Sequence, residues 1–220
     1  MDTFWRVFGL LPAIDTADGR LEFLQVMGKT LELKDGTAIV IRPLTTRDLD
    51  RSFAFFEALP TDDRAYLRHD VTRREVVEKR IRSMKSRGVK RLVAVVDDRI
   101  VADAALELES AGWKQHVGEL RLIVARPYQR RGLGMLMARE LYSVAAEAKV
   151  EELIVKVMRP QIAARSIFRR LGFHEETLLP DYVKDVSGRK QDLILMRCDL
   201  EALWRELEDF MAARDWQRVR

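Results

Sequence analysis

Cysteine is almost missing from this chain: among 220 residues there is only Cys198. An internal disulfide and a cysteine zinc site are thereby excluded, and a reducing cytoplasmic setting fits. Cys198 lies in the apolar run LILMRCDL, which reads as a strand with a buried core thiol. Long hydrophobic runs are missing too. No apolar stretch approaches the ~18 residues of a membrane span, and the opening MDTFWRVFGLLPAI is interrupted by Asp2 and Arg6. No membrane segment is expected. Charge of one sign is not in large excess, since 39 basic residues face 35 acidic ones for a net +4. That balance admits an acidic ligand without arguing for nucleic acid. The basic cluster KSRGVKR at 85–91 has no interleaved aromatic residues, so no nucleic-acid partner is expected. His69, His116 and His174 carry no metal-like spacing, so no metal is expected.

What the chain does have is 47% hydrophobic residues, enough for a sizeable core in one domain with appendages. Residues 1–35 read as an extension bearing Phe4, Trp5, Phe8, Leu10 and Leu11, followed by the helix-like GRLEFLQVMGKTLEL. Its aromatics call for a covering surface, either the main domain or a second copy in a homodimer. MGKT is no phosphate loop, because Phe23 stands where that motif needs glycine. Residues 36–200 form the main domain and 201–220 an amphipathic helical tail.

Within the domain, TAIVIRPL (37–44) is a β-branched strand, and Thr46 is a candidate N-cap for a helix with Phe53, Phe56 and Leu59 on one face. VTRREVVEKRIRSMKSRG (71–88) reads as a second helix. RLVAVVDDRIVADAALELE is a hairpin around Asp97-Asp98, and GELRLIVAR (118–126) a third strand. The next helix sets Leu133, Leu136, Met137, Leu141, Val144, Ala145 and Ala148 on one stripe. With ELIVKVM (152–158) it completes a right-handed βαβ unit whose strands are parallel. A short helix (161–172) and a last strand (191–200) follow.

The junction RPYQRRGLG (126–134) joins that strand to that helix. The first N–H groups of a helix lack intrahelical acceptors and carry partial positive charge. Glycines at 132 and 134 remove Cβ, so a diphosphate can come close, and Arg130 and Arg131 add charge.

A valine, then Q-x-x-G-x-G between a strand and a helix, resembles the central motif of the GCN5-related N-acetyltransferase (GNAT) superfamily. Val124, Gln129, Gly132 and Gly134 fill its positions. AARSIFRRLGF (163–173) is similar to the superfamily's second motif, and the resemblance spans roughly residues 37–200. The stretches IVIRPLTTRDLDRSFAFFEALPTDDRAYLR, GELRLIVARPYQRRGLG and VMRPQIAARSIFRRLGF echo the catalytic domain of bacterial protein-lysine acetyltransferases. The resemblance implies an α/β (α+β) GNAT fold. Its sheet would be mixed, mostly antiparallel and six- to seven-stranded, with a central parallel pair that splays apart between helices.

It also implies an N-acetyltransferase using acetyl-CoA, held by Leu122, Ile123 and Val124, by Gln129, Arg130, Arg131, Gly132, Leu133, Gly134 and Met135, and by Gln161 and Phe168. A backbone N–H near Val124 would be the oxyanion donor. The amine would attack the thioester directly. A lysine-like amine, pKa ~10.4, costs about 4–5 kcal/mol to deprotonate at neutral pH. Glu119 stands where the lysine acetyltransferases carry their glutamate base, five residues before the motif valine. His116 is a rival base, and Tyr182 a candidate for the acceptor pocket. Phe168 occupies the place of the tyrosine acid found in many members. The acceptor stays open between a protein lysine and a small amine, and a non-catalytic acyl-CoA sensor is the alternative from another class.

Overall fold

The computed structural model describes residues 28–85, 88–109, 112–185, 187–200 and 202. The aromatic extension over 1–27 and the tail helix expected at 201–220, Ala202 apart, lie outside them. Eight strands make one sheet in the order β1-β2-β3-β4-β5-β6-β8-β7. They are β1 (Lys29–Glu32), β2 (Ala38–Pro43), β3 (Val89–Val96), β4 (Arg99–Leu108), β5 (Val117–Val124), β6 (Glu152–Met158), β7 (His174–Lys184) and β8 (Lys190–Asp199). The helices are α1 (Leu49–Glu57), α2 (Thr61–Arg64), α3 (Arg74–Arg82), α4 (Leu133–Glu147) and α5 (Ile162–Arg170).

The sheet is mixed and flanked by helices, as the motifs imply, but holds eight strands instead of six to seven. Both additions come from stretches whose local pattern misled. Residues 29–32, read as the end of a helix-like run, pair antiparallel with β2 from Lys29↔Ile41 to Glu32↔Ala38. β7 has no clean alternation and is exposed along most of its length. It is an edge strand, so Pro180 removes no ladder bond from a central position. Its register with β8 shifts between Leu179 and Val183, where Asp181 takes a left-handed φ of 52°. The stretch PDYVKD (180–185), which carries Tyr182, lies mostly within this strand.

Local signals elsewhere act as their chemistry requires. Asp97 and Asp98 both have positive φ, 46° and 63°, closing the two-residue β3–β4 hairpin as a type I′ turn demands. A 3-10 turn over Thr46–Asp48 leads into α1, and its cap is Thr45, one residue earlier than the cap read from the sequence. The Thr45 backbone N–H donates to the Asp48 carboxylate at 2.9 Å. Arg42 grips the same carboxylate with two bonds of 2.7 Å.

Two apolar clusters sandwich the sheet. One joins α4 and α5 to it through Met137, Leu141, Leu153, Val155 and Phe168. The other packs α1 and α3 on the opposite face through Phe56, Val77, Ile81 and Val93. Cys198 is a core thiol, 1% exposed, and Tyr142 donates to it at 3.4 Å.

One feature of the topology positions the site. Among the described residues β5 and β6 are the sheet's sole parallel neighbours, joined through α4, and they pair over four residues only: Val117–Leu120 against Glu152–Val155. Beyond Leu120, β5 stays with β4 as far as Val124, and beyond Val155, β6 stays with β8 as far as Met158. Each strand follows its outer partner, so a wedge opens between them.

Candidate active site

The wedge leads into a cleft of about 1280 Å³ that runs from the 129–134 turn through the sheet to the face carrying α1 and α3. Its backbone is laid out by simple alternation. The Ala125 N–H donates to the Val101 carbonyl at 2.9 Å, toward β4. Peptide groups alternate sides along a strand, so those of Leu122 and Val124 face the gap. The Val124 carbonyl confirms this sense, accepting from Gln129 Nε2 at 2.9 Å. That bond ties the Gln129 side chain to the end of β5, and the Gln129 backbone N–H, read as part of the diphosphate cradle, donates to the Arg126 carbonyl at 3.1 Å.

At the turn, Arg130 and Gly132 have φ of 60° and 93°. Left-handed residues set among right-handed ones turn successive N–H groups into one concavity that suits an anion. Among the described residues, the N–H groups of Arg130, Arg131, Gly132, Leu133 and Gly134 donate to no protein acceptor. They lead into and open the 15-residue α4, whose dipole adds to the same attraction. A Cβ at Gly134 would stand 3.0 Å from Ile167 Cδ1, so glycine there also lets α4 approach α5. The sequence could not show that β1 and the following turn brace this corner. Lys34 N–H donates to the Arg131 carbonyl at 3.2 Å, and Arg131 meets Asp35 at 2.8 Å. Lys34 side-chain carbons lie 3.6–4.0 Å from where a Gly132 Cβ would be.

Most of the residues read from the motifs line the cleft: Glu119, Leu122, Ile123 and Val124 on β5, Gln129 to Gly132, Gly134, Met135, Gln161 and Phe168. Leu133 does not. Its side chain is fully buried in the core because the α4 stripe turns it inward, leaving its N–H alone at the turn. Gln161 Oε1 accepts from the Met158 N–H at 2.7 Å, so only its amide nitrogen is free to meet a ligand. Arg165 and Arg169 are tied to Glu175 at 2.6 and 2.7 Å, whereas Arg170 borders the cleft. The hydrogen bond from Arg165 holds the Glu175 carboxyl below its ordinary range. Tyr182 lines the cleft and is 65% exposed. His116 does not line it.

The far end is built from side chains. Glu119 is 14% exposed and held on both oxygens: Arg68 donates to Oε1, and Lys156 to Oε2 at 2.8 Å. Arg121 Nε lies 3.7 Å from Oε1. Behind them Arg121 pairs with Glu107 at 2.6 Å, and Arg80 and Arg91 meet Asp103 at 3.1 and 3.2 Å. Burial first, then the neighbouring Arg121, Arg80 and Arg68, pushes His69 below its usual value. The roles of Arg68, Arg80 and Lys156 were not legible in the sequence, where each sits in an ordinary charged run. Among the described residues no group of three or more His, Cys, Asp or Glu could hold a metal. No helix among them is long and apolar enough to cross a membrane.

Comparison with known proteins places this geometry. Residues 51–173 match the model of the acetyltransferase (GNAT) family. A ribosomal-protein-alanine N-acetyltransferase from Brucella melitensis superposes with a TM-score of 0.63 at 25% identity, over 72% of this chain and 98% of that one. The GNAT domain of PAT from S. lividans gives 0.65 at 16% identity, over 78% and 96%. A putative acetyltransferase from Salmonella typhimurium, solved with its cofactor acetyl-CoA, gives 0.65 at 18%, over 74% and 94%. No curated protein matches the chain.

Proposed function

The chain belongs to the acetyltransferase (GNAT) family and uses acetyl-CoA, and from that premise we propose that it acetylates a primary amine by direct attack in a ternary complex, with Glu119 as the base. The observation carrying this reading is the wedge between β5 and β6, with free amides at one end and Glu119 at the other.

The cofactor's diphosphate is read onto the N–H groups of 130–134, and its pantetheine arm along Leu122–Val124. The Val124 N–H, turned to the gap, is the oxyanion donor. A preset donor of this kind contributes about 3–4 kcal/mol where it has been removed in other enzymes. The attacking nitrogen must be neutral, and Glu119 takes its proton. A carboxylate has about four lone-pair sites, so Arg68 and Lys156 leave a site on each oxygen for the amine. The acyl carbon then loses coenzyme A as thiolate, without an acyl-enzyme. Phe168, 5% exposed and packed edge-on to Phe173 at 5.2 Å, brings no acid to that thiolate, so water protonates it. Lysine side chains and small amines both present the required nitrogen.

Coenzyme A release measured with a panel of amines and peptides tests the reading, alongside calorimetry with acetyl-CoA. Binding followed by turnover on at least one amine is expected. An enzyme that binds no acetyl-CoA, or transfers to no nitrogen, is not the one described.

A further inference from the structure

The acceptor end of the cleft carries more positive charge than the protein itself neutralises. Five cations, Arg68, Arg80, Arg91, Arg121 and Lys156, share three carboxylates, Asp103, Glu107 and Glu119, leaving a formal +2. Asp63, also on the wall, is taken up by Arg126 at 2.9 Å. The excess lies inside the cleft: the Arg80 and Arg121 side chains are 15% and 25% exposed, and both line it. The Nε atoms of Arg91 and Arg121 are buried without a hydrogen-bond partner among the described residues. Burial lowers the proton affinity of both Arg80 and Arg121, and neighbouring arginines lower it further. Desolvated cations short of counter-charge are costly unless something completes them.

Glu119 and Arg121 stand two residues apart on one face of β5, about 7 Å along the strand. A small molecule could therefore set its nitrogen at Glu119 and a second group at the guanidinium.

We propose that the acceptor is a small primary amine that carries its own acid group, carboxylate or phosphate, bound by Arg121 and Arg80 while the nitrogen faces Glu119. This rests on the acetyl-transfer reading of the same site. Guanidinium forks match both acids geometrically. Because the cations sit within the cleft, the acid must enter beside the amine; acidic residues flanking a lysine on a protein surface would stay at the rim.

The test is kcat/KM, read by coenzyme A release, for amino acids with α-, γ- and ω-amines against their carboxamides and decarboxylated amines. Aminoalkyl phosphates form a second arm that identifies which acid is taken, and an acidic lysine peptide a third. At least one acid should outrun its amide by about tenfold or more. Arg121→Gln and Arg80→Gln should each pull that ratio toward one with acetyl-CoA affinity unchanged, and Arg121→Lys should keep part of it. Equal or faster amides, a ratio that survives both Gln variants, or a peptide preferred over every small acid overturns the proposal. So does an enzyme that neither turns over the acids nor binds their N-acetyl products in calorimetry. Acetyl-CoA binding is read separately, so its loss removes the cofactor reading while calorimetry with the N-acetyl acids still judges the acceptor end.

Discussion

The two ends of the cleft, each proposed to hold a charged group, are built from different parts. The 129–134 corner is made mostly of backbone: free N–H groups, two left-handed residues and a helix behind them. The acceptor end is made of side chains drawn from positions 68, 80, 119, 121 and 156. Backbone groups have no rotamers to order, so the corner is already arranged when the turn forms. The side-chain end is arranged by mutual ion pairing, helped by the Arg80 guanidinium lying 4.7 Å over the Phe56 ring, which keeps those long chains in place. The corner should therefore fail through conformation and the acceptor end through charge.

Gly132→Val should do the most damage. A φ of 93° there strains any β-branched residue, by about 1–3 kcal/mol, and the new side chain would crowd Lys34. We expect acetyl-CoA affinity to fall about a hundredfold with acceptor preference intact; unaltered calorimetry would end the contrast between the two ends. Glu119→Gln comes next. It is nearly isosteric and removes charge only, so turnover should drop more than tenfold while acetyl-CoA binds as before. A full rate in that variant would take Glu119 out of the chemistry.

Asp48 serves as a control remote from both ends. Burial by itself would raise its carboxyl, but the Arg42 and Thr45 hydrogen bonds win and hold it at about 2. The unfolded value is ~3.9, so the proton prefers the unfolded chain. Asp48 therefore contributes its full stability above pH ~4 and loses it as pH falls toward 2. Asp48→Asn should lower Tm by about 5 °C at neutral pH. It should also flatten the melting curve's dependence on pH between ~4 and 2, leaving cofactor affinity and amine preference alone. A variant as acid-sensitive as the parent would exclude this pair. Lys34→Ala should have the smallest effect, a two- to threefold loss of acetyl-CoA affinity that shrinks with added salt. A larger loss would make the turn after β1 part of the grip and not merely a brace.

Legibility followed the same division. The turn, the α4 stripe and the β5–α4–β6 unit could be read directly, because glycine spacing, apolar period and crossover handedness act over a few neighbouring residues. Glu119 was found through its distance from the motif valine. Arg68, Arg80 and Lys156 were not, since nothing near them in the chain distinguishes a cleft arginine from a solvated one. β1 and β7 were missed because an edge strand needs no hydrophobic alternation when one or both of its faces meet water. Leu133 and Gln161 were assigned to the ligand by motif position, whereas packing turned one inward and a Met158 N–H engaged the other.

By itself the order of amino acids determined the family, the glycine-bearing corner before α4 and the β5–α4–β6 unit with its parallel strands. All three rest on short-range rules of backbone shape and periodicity. The charge of the acceptor end was decided only when the sheet brought residues 68 to 156 together. Coulomb forces act between side chains by distance in space, which chain position does not record.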